Sequence, residues 1–86
     1  MQELEKKRKQ LVFRSHHRGT KEMDLIMGSF ADAHVGGFDE GQLQQYEDLL
    51  QNNDPDLYNW ITGQEDPPAN IVCDVFELLK KHRFAG

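Results

Sequence analysis

Arg18, Gly19, Glu22 and Asp24 place a planar cation, a position without a side chain and two carboxylates within a short stretch. Arg18 offers a guanidinium fork that can take a carboxylate or a carbonyl on another protein. Gly19 lets a partner's backbone approach closely. Glu22, one turn further on, supplies the opposite charge. A donor, a gap and an acceptor in that order suit protein recognition better than catalysis. The plainer reading of the same residues is a helix start. Gly19 would then be the N-cap, Glu22 would sit at the positive end of the helix dipole, and Arg18 and Glu22 would form a local ion pair worth roughly a few tenths of a kcal/mol.

Other chemistries find less support. The four histidines are His16, His17, His34 and His82. Adjacent residues on a helix point about 100° apart, so His16 and His17 are poorly placed to share one ion. There is no HExxH motif and no paired-cysteine spacing, so no metal ligands are expected. Carboxylates are plentiful but scattered over caps and polar faces, and none stands in a pattern of nucleophile and base. Gly36-Gly37 lacks the flanking pattern of a phosphate loop. No catalytic residue is assigned.

Five helices must position these residues. The first is predicted from about Glu3 to Ser15, with Leu4, Leu11 and Val12 as a thin apolar stripe and Phe13 beside it. The second runs from about Thr20 to Ala33, where Met23, Ile26, Met27 and Phe30 stand at i, i+3, i+4 and i+7. The third begins at Asp39, with Gln42 completing a capping box and Phe38 and Leu43 a hydrophobic staple. Asp54 is read as the cap of a short fourth helix, with Pro55 at its first position and Leu57, Trp60 and Ile61 as its face. The fifth is placed after Asp66, read as N-cap ahead of Pro67-Pro68, with the face Val72, Val75, Phe76 and Leu79. Lys80, Lys81 and Arg83 then suit its C-terminus. No stretch alternates with period two for long enough to be a strand. The expectation is an all-α, compact five-helix bundle, a single domain over residues 1–86 with its core at about 11–84.

Bulk properties agree. The chain has 86 residues and a net charge of −5, unevenly spread. Residues 1–22 carry +4, residues 23–79 carry twelve acids and no Lys or Arg, and Lys80, Lys81 and Arg83 follow. The acidic body repels phosphate backbones, which argues against nucleic-acid binding. Lys6 to Lys9 read as a solvated helix face. Cys73 stands alone and reads as a small core residue in a reducing compartment. No apolar run approaches the ~20 residues that span a bilayer. A soluble, cytoplasmic protein is expected, or one of the mitochondrial matrix if a transit peptide was removed.

Arg-Gly-x-x-Glu-x-Asp at Arg18, Gly19, Glu22 and Asp24 opens an apolar helix. Tyr46-Glu-Asp-Leu-Leu and Asp54-Pro-Asp-Leu-Tyr-Asn-Trp60 follow it at the expected distance. Together these blocks resemble the succinate dehydrogenase assembly factor 2 family, whose bacterial members are called SdhE. The likeness extends from about Leu11 to Leu79. The resemblance implies a five-helix bundle. It also implies binding to the flavoprotein subunit of succinate dehydrogenase, or of a fumarate reductase relative, and promotion of covalent FAD attachment to a histidine of that subunit. Carried over by position, the partner-binding residues are Arg18, Gly19 and Glu22, with Asp24 added. Leu57, Tyr58 and Trp60 read mainly as core. His16-His17 stands where bacterial members often carry a basic or bulky residue. On this reading the protein is a non-catalytic assembly factor. It binds no cofactor itself, since the FAD belongs to the client, and is a monomer when free. Two rivals are an antitoxin-like regulatory module, which predicts a small toxin as partner, and an enzyme acting on flavin, which predicts FAD binding by the isolated chain.

Overall fold

A computed structural model of the chain describes residues 2–82. It contains α1 (Gln2–His16), α2 (Lys21–His34), a 3-10 turn (Val35–Gly37), α3 (Glu40–Leu50), α4 (Asp54–Thr62) and α5 (Asp74–Lys81). Arg83, expected near the end of the last helix, lies outside the described residues, as does the far limit of the expected core. The described residues form no strand, and the five-helix, all-α expectation holds.

The apolar periodicity of each helix becomes its buried face. Met23, Ile26, Met27 and Phe30 of α2 share one core with Leu43, Tyr46, Leu49 and Leu50 of α3, and α1 packs against both helices. Val75, Phe76 and Leu79 of α5 close the core from the other side, and α1 adds Leu11 with Leu4 and Val12 packed partly against it. Tyr46 and Phe30 are fully buried with ring centroids 5.5 Å apart. Each such aromatic contributes on the order of 2 to 3 kcal/mol of burial. The polar end of Tyr46 is not wasted. Ser15 Oγ shares a hydrogen bond with the Tyr46 hydroxyl and lies 2.7 Å from its other partner, the Leu11 carbonyl. This buried chain of two bonds ties α3 to the end of α1, just ahead of the Arg18 stretch.

Helix starts follow local chemistry in three cases and long-range chemistry in one. Thr20, not Gly19, caps α2, its hydroxyl accepting from the Met23 amide. Asp39 and Gln42 form the reciprocal capping box at α3. At α4 the expectation needs correction: Asn53 is the N-cap, accepting from the Asp56 amide at 3.0 Å, and Asp54 is the first helical residue. Gly63, in the left-handed region at φ 80°, ends that helix where a side chain would be strained.

The start of α5 also differs. Asp66 is not its cap; residues 66–73 run as loop and turn, with the Ile71 amide bonded to the Pro68 carbonyl. Cys73 precedes the helix without a side-chain cap, and Gln45 of α3 reaches across to accept from the Val75 amide at 3.3 Å. A tertiary side chain thus replaces the local cap. Ile71 is buried in consequence, and Val72, expected on the core face, is 52% exposed. Cys73 packs partly against the core. In the basic stretch Lys6 and Lys9 are exposed as expected, but Lys7 pairs with Glu47 at 3.1 Å and Arg8 bonds the Phe38 carbonyl at 2.8 Å.

Gly28, mid-helix in α2, faces the His16 ring at the end of α1. A Cβ there would lie 2.5 Å from His16 Nδ1 and 2.6 Å from Cε1, and that ring is held by Asp32 at 3.1 Å. Overpacking therefore opposes the helix-propensity gain of about 1 kcal/mol that alanine offers over glycine. Gly28→Ala is expected to destabilise the protein by about 1 kcal/mol net, since displacing the ring costs more than the helix gains. In a His16→Ala background the same change should stabilise by about 1 kcal/mol. Urea unfolding of the four proteins reads both signs.

Candidate partner-docking site

The α1–α2 loop, residues 17–20, carries the start of the motif and is fastened from three directions. Arg18 turns its side chain inward, to 10% exposure. Its Nε donates to Asp54 Oδ1 at 2.7 Å, Nη1 to the Leu50 carbonyl at 3.0 Å and Nη2 to the Asn52 carbonyl at 2.8 Å. Those carbonyls belong to the end of α3, where the helix dipole is negative, so the guanidinium caps α3 as well as pairing with α4. The Gly19 amide donates to the other oxygen of Asp54 at 2.6 Å. The Arg18 amide donates to the Asp24 carboxylate, which reaches back from the first turn of α2.

This placement corrects the free-fork expectation. Arg18 does not hold its guanidinium out to solvent, and it pairs with Asp54 across 36 residues rather than with Glu22. The reason is energetic: the last carbonyl of α3, that of Asn52 in the following turn and a carboxylate 11% exposed need donors, and the guanidinium supplies three in one plane. Gly19 is required by the same contact. A Cβ on it would lie 2.9 Å from Asp54 Oδ2, against the oxygen its own amide bonds. Close approach is thus real here, but the group approached is in the same chain.

Glu22 is different. It is exposed on the first turn of α2, and its carboxylate accepts a hydrogen bond from the Tyr58 hydroxyl on α4. Between them lies an open cleft of about 310 Å³ lined by Thr20, Glu22, Met23, Asp54, Pro55 and Tyr58. Its walls are Met23, Pro55 and the Tyr58 ring. Its polar groups are the Thr20 hydroxyl and two carboxylates, one of them held by Arg18. Leu57 and Trp60 are buried as expected, and Tyr58, partly buried, packs against the core while also lining the cleft. Sequence reasoning placed Tyr58 mainly in the core and missed Asp54 as the hub. A signal for Asp54 existed: Asn53-Asp54-Pro55 offers two capping side chains to one helix start, so one is spare. Among the described residues, no three of His, Cys, Asp or Glu come together as metal ligands do.

The two tyrosines report on core and cleft separately. Burial pushes Tyr46 up to about 12, partly offset by its bond to Ser15. Tyr58 is raised by its hydrogen bond to Glu22 and by that residue's charge. An absorbance titration is expected to show both tyrosines ionising above the ordinary range, and Glu22→Ala should lower one of them towards it. For Tyr46 the folded value exceeds the unfolded one. Its contribution to stability is therefore complete below about pH 10 and is lost as pH rises towards about 12. Tyr46→Phe should flatten that alkaline loss.

Residues 9–83 match the model of a protein family described as flavinator of succinate dehydrogenase. The chain belongs to that family. It is 41% identical over 80 residues to succinate dehydrogenase assembly factor 2, mitochondrial, of Dictyostelium discoideum, covering 93% of this chain and 57% of that protein. It is 36% identical over 78 residues to the protein of the same name in Drosophila grimshawi, covering 88% of this chain and 53% of that one. The chain spans about half the length of the curated relatives it matches. The match in family membership accords with the resemblance read from the Arg18 and Asp54 blocks. Both blocks meet in space at the Arg18–Asp54 pair. Among the described residues, no helix is long and apolar enough to cross a membrane.

Proposed function

We propose that this chain is a non-catalytic assembly factor. It binds the flavoprotein subunit of succinate dehydrogenase, or of a fumarate reductase relative, and promotes covalent attachment of FAD to that subunit. The observation that carries this reading is the family match over residues 9–83 together with a motif loop that is braced from within. The relatives' names supply the complex, and the geometry supplies a rigid surface rather than a reaction centre.

The bond forms between the client's own histidine and the flavin, so the chemistry stays with the client and its cofactor. This chain contributes positioning. Arg18, Gly19, Asp24 and Asp54 lock the loop, and exposed Gly19 with the adjoining cleft residues Glu22 and Tyr58 meets the client. Binding selects the client conformation in which histidine and flavin are aligned. A preformed loop loses little freedom on docking, which favours affinity without a large interface. The motif thus divides: Gly19 and Glu22 contact the partner, and Arg18 and Asp24 shape what is contacted. FAD itself is bound by the client and not by this chain. The chain works where the client folds, in the mitochondrial matrix or its bacterial counterpart.

The test combines client apoprotein, FAD and this protein, and follows flavin fluorescence that survives denaturing electrophoresis. Covalent flavin is expected to accumulate faster with the protein than without it. Equal rates would remove the proposal, and calorimetry showing tight FAD binding by the isolated chain would replace it with an enzyme acting on flavin.

A further inference from the structure

His82 directly follows α5 and ends it, its backbone leaving the helix while its amide still bonds the Leu79 carbonyl at 3.2 Å. Its ring turns back onto α2. Nε2 lies 2.9 Å from Ser29 Oγ, and the ring meets Phe30 edge to face with centroids 5.6 Å apart. His34, the last residue of α2, stands by the same phenyl ring at 4.7 Å and lies 5.9 Å from His82. Phe30 is fully buried and also contacts Phe38 and Tyr46. Elsewhere α5 packs mainly on α3 and α4. Two half-buried imidazoles therefore share one phenyl ring where the end of α5 meets α2.

Neutral rings suit this arrangement. One imidazolium is tolerated, since Phe30 can serve it as a cation–π partner. Two are not: like charges this close repel, and a half-buried position weakens the screening by water. The charges nearby do not relieve a second one. Lys80 and Lys81 precede His82 in the last turn of α5, and Arg8 of α1 donates to the Phe38 carbonyl at 2.8 Å. Of the acids nearest His34 in sequence, Asp32 is bonded to His16 at 3.1 Å and Asp39 is held in its capping box. The Ser29 contact does not decide the matter, because a hydroxyl accepts from an imidazolium as readily as it donates to an imidazole. Burial, and then the charge of His34, hold His82 below its ordinary value of 6.5.

We propose that His34 and His82 form a pH-sensitive clasp, which holds the end of α5 on α2 while at most one ring is charged and releases it when both are. Because the folded state favours neutral His82, the clasp's contribution to stability is complete above about pH 6.5 and is lost as pH falls through that value towards the lower folded one. The clasp lies at the opposite end of α2 from Glu22, so its opening leaves the docking cleft in place.

Amide hydrogen exchange of the full chain, corrected for the intrinsic effect of pH, tests this. Between about pH 7.5 and about pH 5, protection in the last turn of α5 should fall about tenfold, the change that one unit of pKa difference produces. The amides of α3 should keep theirs. His82→Phe and His34→Phe each keep an aromatic ring and leave at most one charge, so both should hold their protection at the lower pH. Circular dichroism checks that both fold. In His34→Phe, the ring signal of His82 should also titrate closer to 6.5 than in the parent. The proposal is overturned if the parent keeps its protection at the lower pH, if its loss is shared equally by α3, if either variant loses as much as the parent, or if His82 titrates unchanged in His34→Phe.

Discussion

Arg18→Ala is expected to lower the unfolding free energy by about 3 to 5 kcal/mol, the range for removing one partner of a buried ion pair. The argument starts from what the substitution leaves behind. Asp54, 11% exposed, would keep the Gly19 amide but lose its cation. The carbonyls of Leu50 and Asn52 would lose their donors at the end of α3. A small domain has a total stability of roughly 5 to 15 kcal/mol, so this single change removes a large share of it. Urea unfolding followed by circular dichroism should show the midpoint fall steeply. Asp54→Ala should cost a comparable amount, because it strands the guanidinium. The double variant should cost clearly less than the sum, with a coupling of about 1 to 3 kcal/mol. Arg18→Lys should recover only part of the loss, since one ammonium cannot span a carboxylate and two carbonyls in a plane. A midpoint unchanged in Arg18→Ala would mean that the guanidinium does not brace the fold. The result matters for function because loss of flavin attachment in Arg18 variants would then report a collapsed loop, not a missing contact.

The stability role of Arg18 is the part of the site that sequence could not disclose, and the reason is distance. Periodicity and capping signals act over one to seven residues. They placed α1, α2 and α3 to within a residue or two and identified the Asp39–Gln42 box outright. The Arg18–Asp54 pair spans 36 residues, and nothing local distinguishes it from an Arg18–Glu22 pair one turn apart. The mistaken caps of α4 and α5 have the same origin. Asp54 and Asp66 both precede or open proline-containing stretches and carry good capping side chains. Asp54 is drawn instead to Arg18 and Gly19, leaving Asn53 to cap. Asp66 is passed over because Gln45, from another helix, receives the Val75 amide and so lets the helix begin at Asp74. Tyr58 shows the converse. It lies between Leu57 and Trp60, both buried, yet lines the cleft opposite Glu22, a neighbour 36 residues away that no local pattern discloses.

Glu22 is where stability and function separate. Glu22→Ala is expected to slow covalent flavin attachment to the client at least about tenfold, a loss of about 1.4 kcal/mol in the stability of the productive complex. The same change should leave the urea midpoint within a few tenths of a kcal/mol of the parent, roughly what an exposed acid in the first turn contributes through the helix dipole. Its side chain bears no weight in the bundle: it is exposed, and its partner is the hydroxyl of a half-exposed tyrosine. It stands at the cleft edge opposite the Tyr58 ring, which forms one wall, and its charge acts on that residue's hydroxyl. Two further variants separate the carboxylate from the bond. Tyr58→Phe keeps the ring and loses the hydroxyl, so it should show an intermediate loss if Glu22 must be oriented, and none if only its charge is read. Glu22→Gln keeps a hydrogen-bond acceptor and removes the charge, so it should resemble Glu22→Ala if the client reads the charge. Rates are compared at saturating FAD and client well below saturation, with binding of each variant to the client measured alongside. Full activity in Glu22→Ala would move the client contact away from this cleft, and a parallel fall in the urea midpoint would make Glu22 another brace like Arg18.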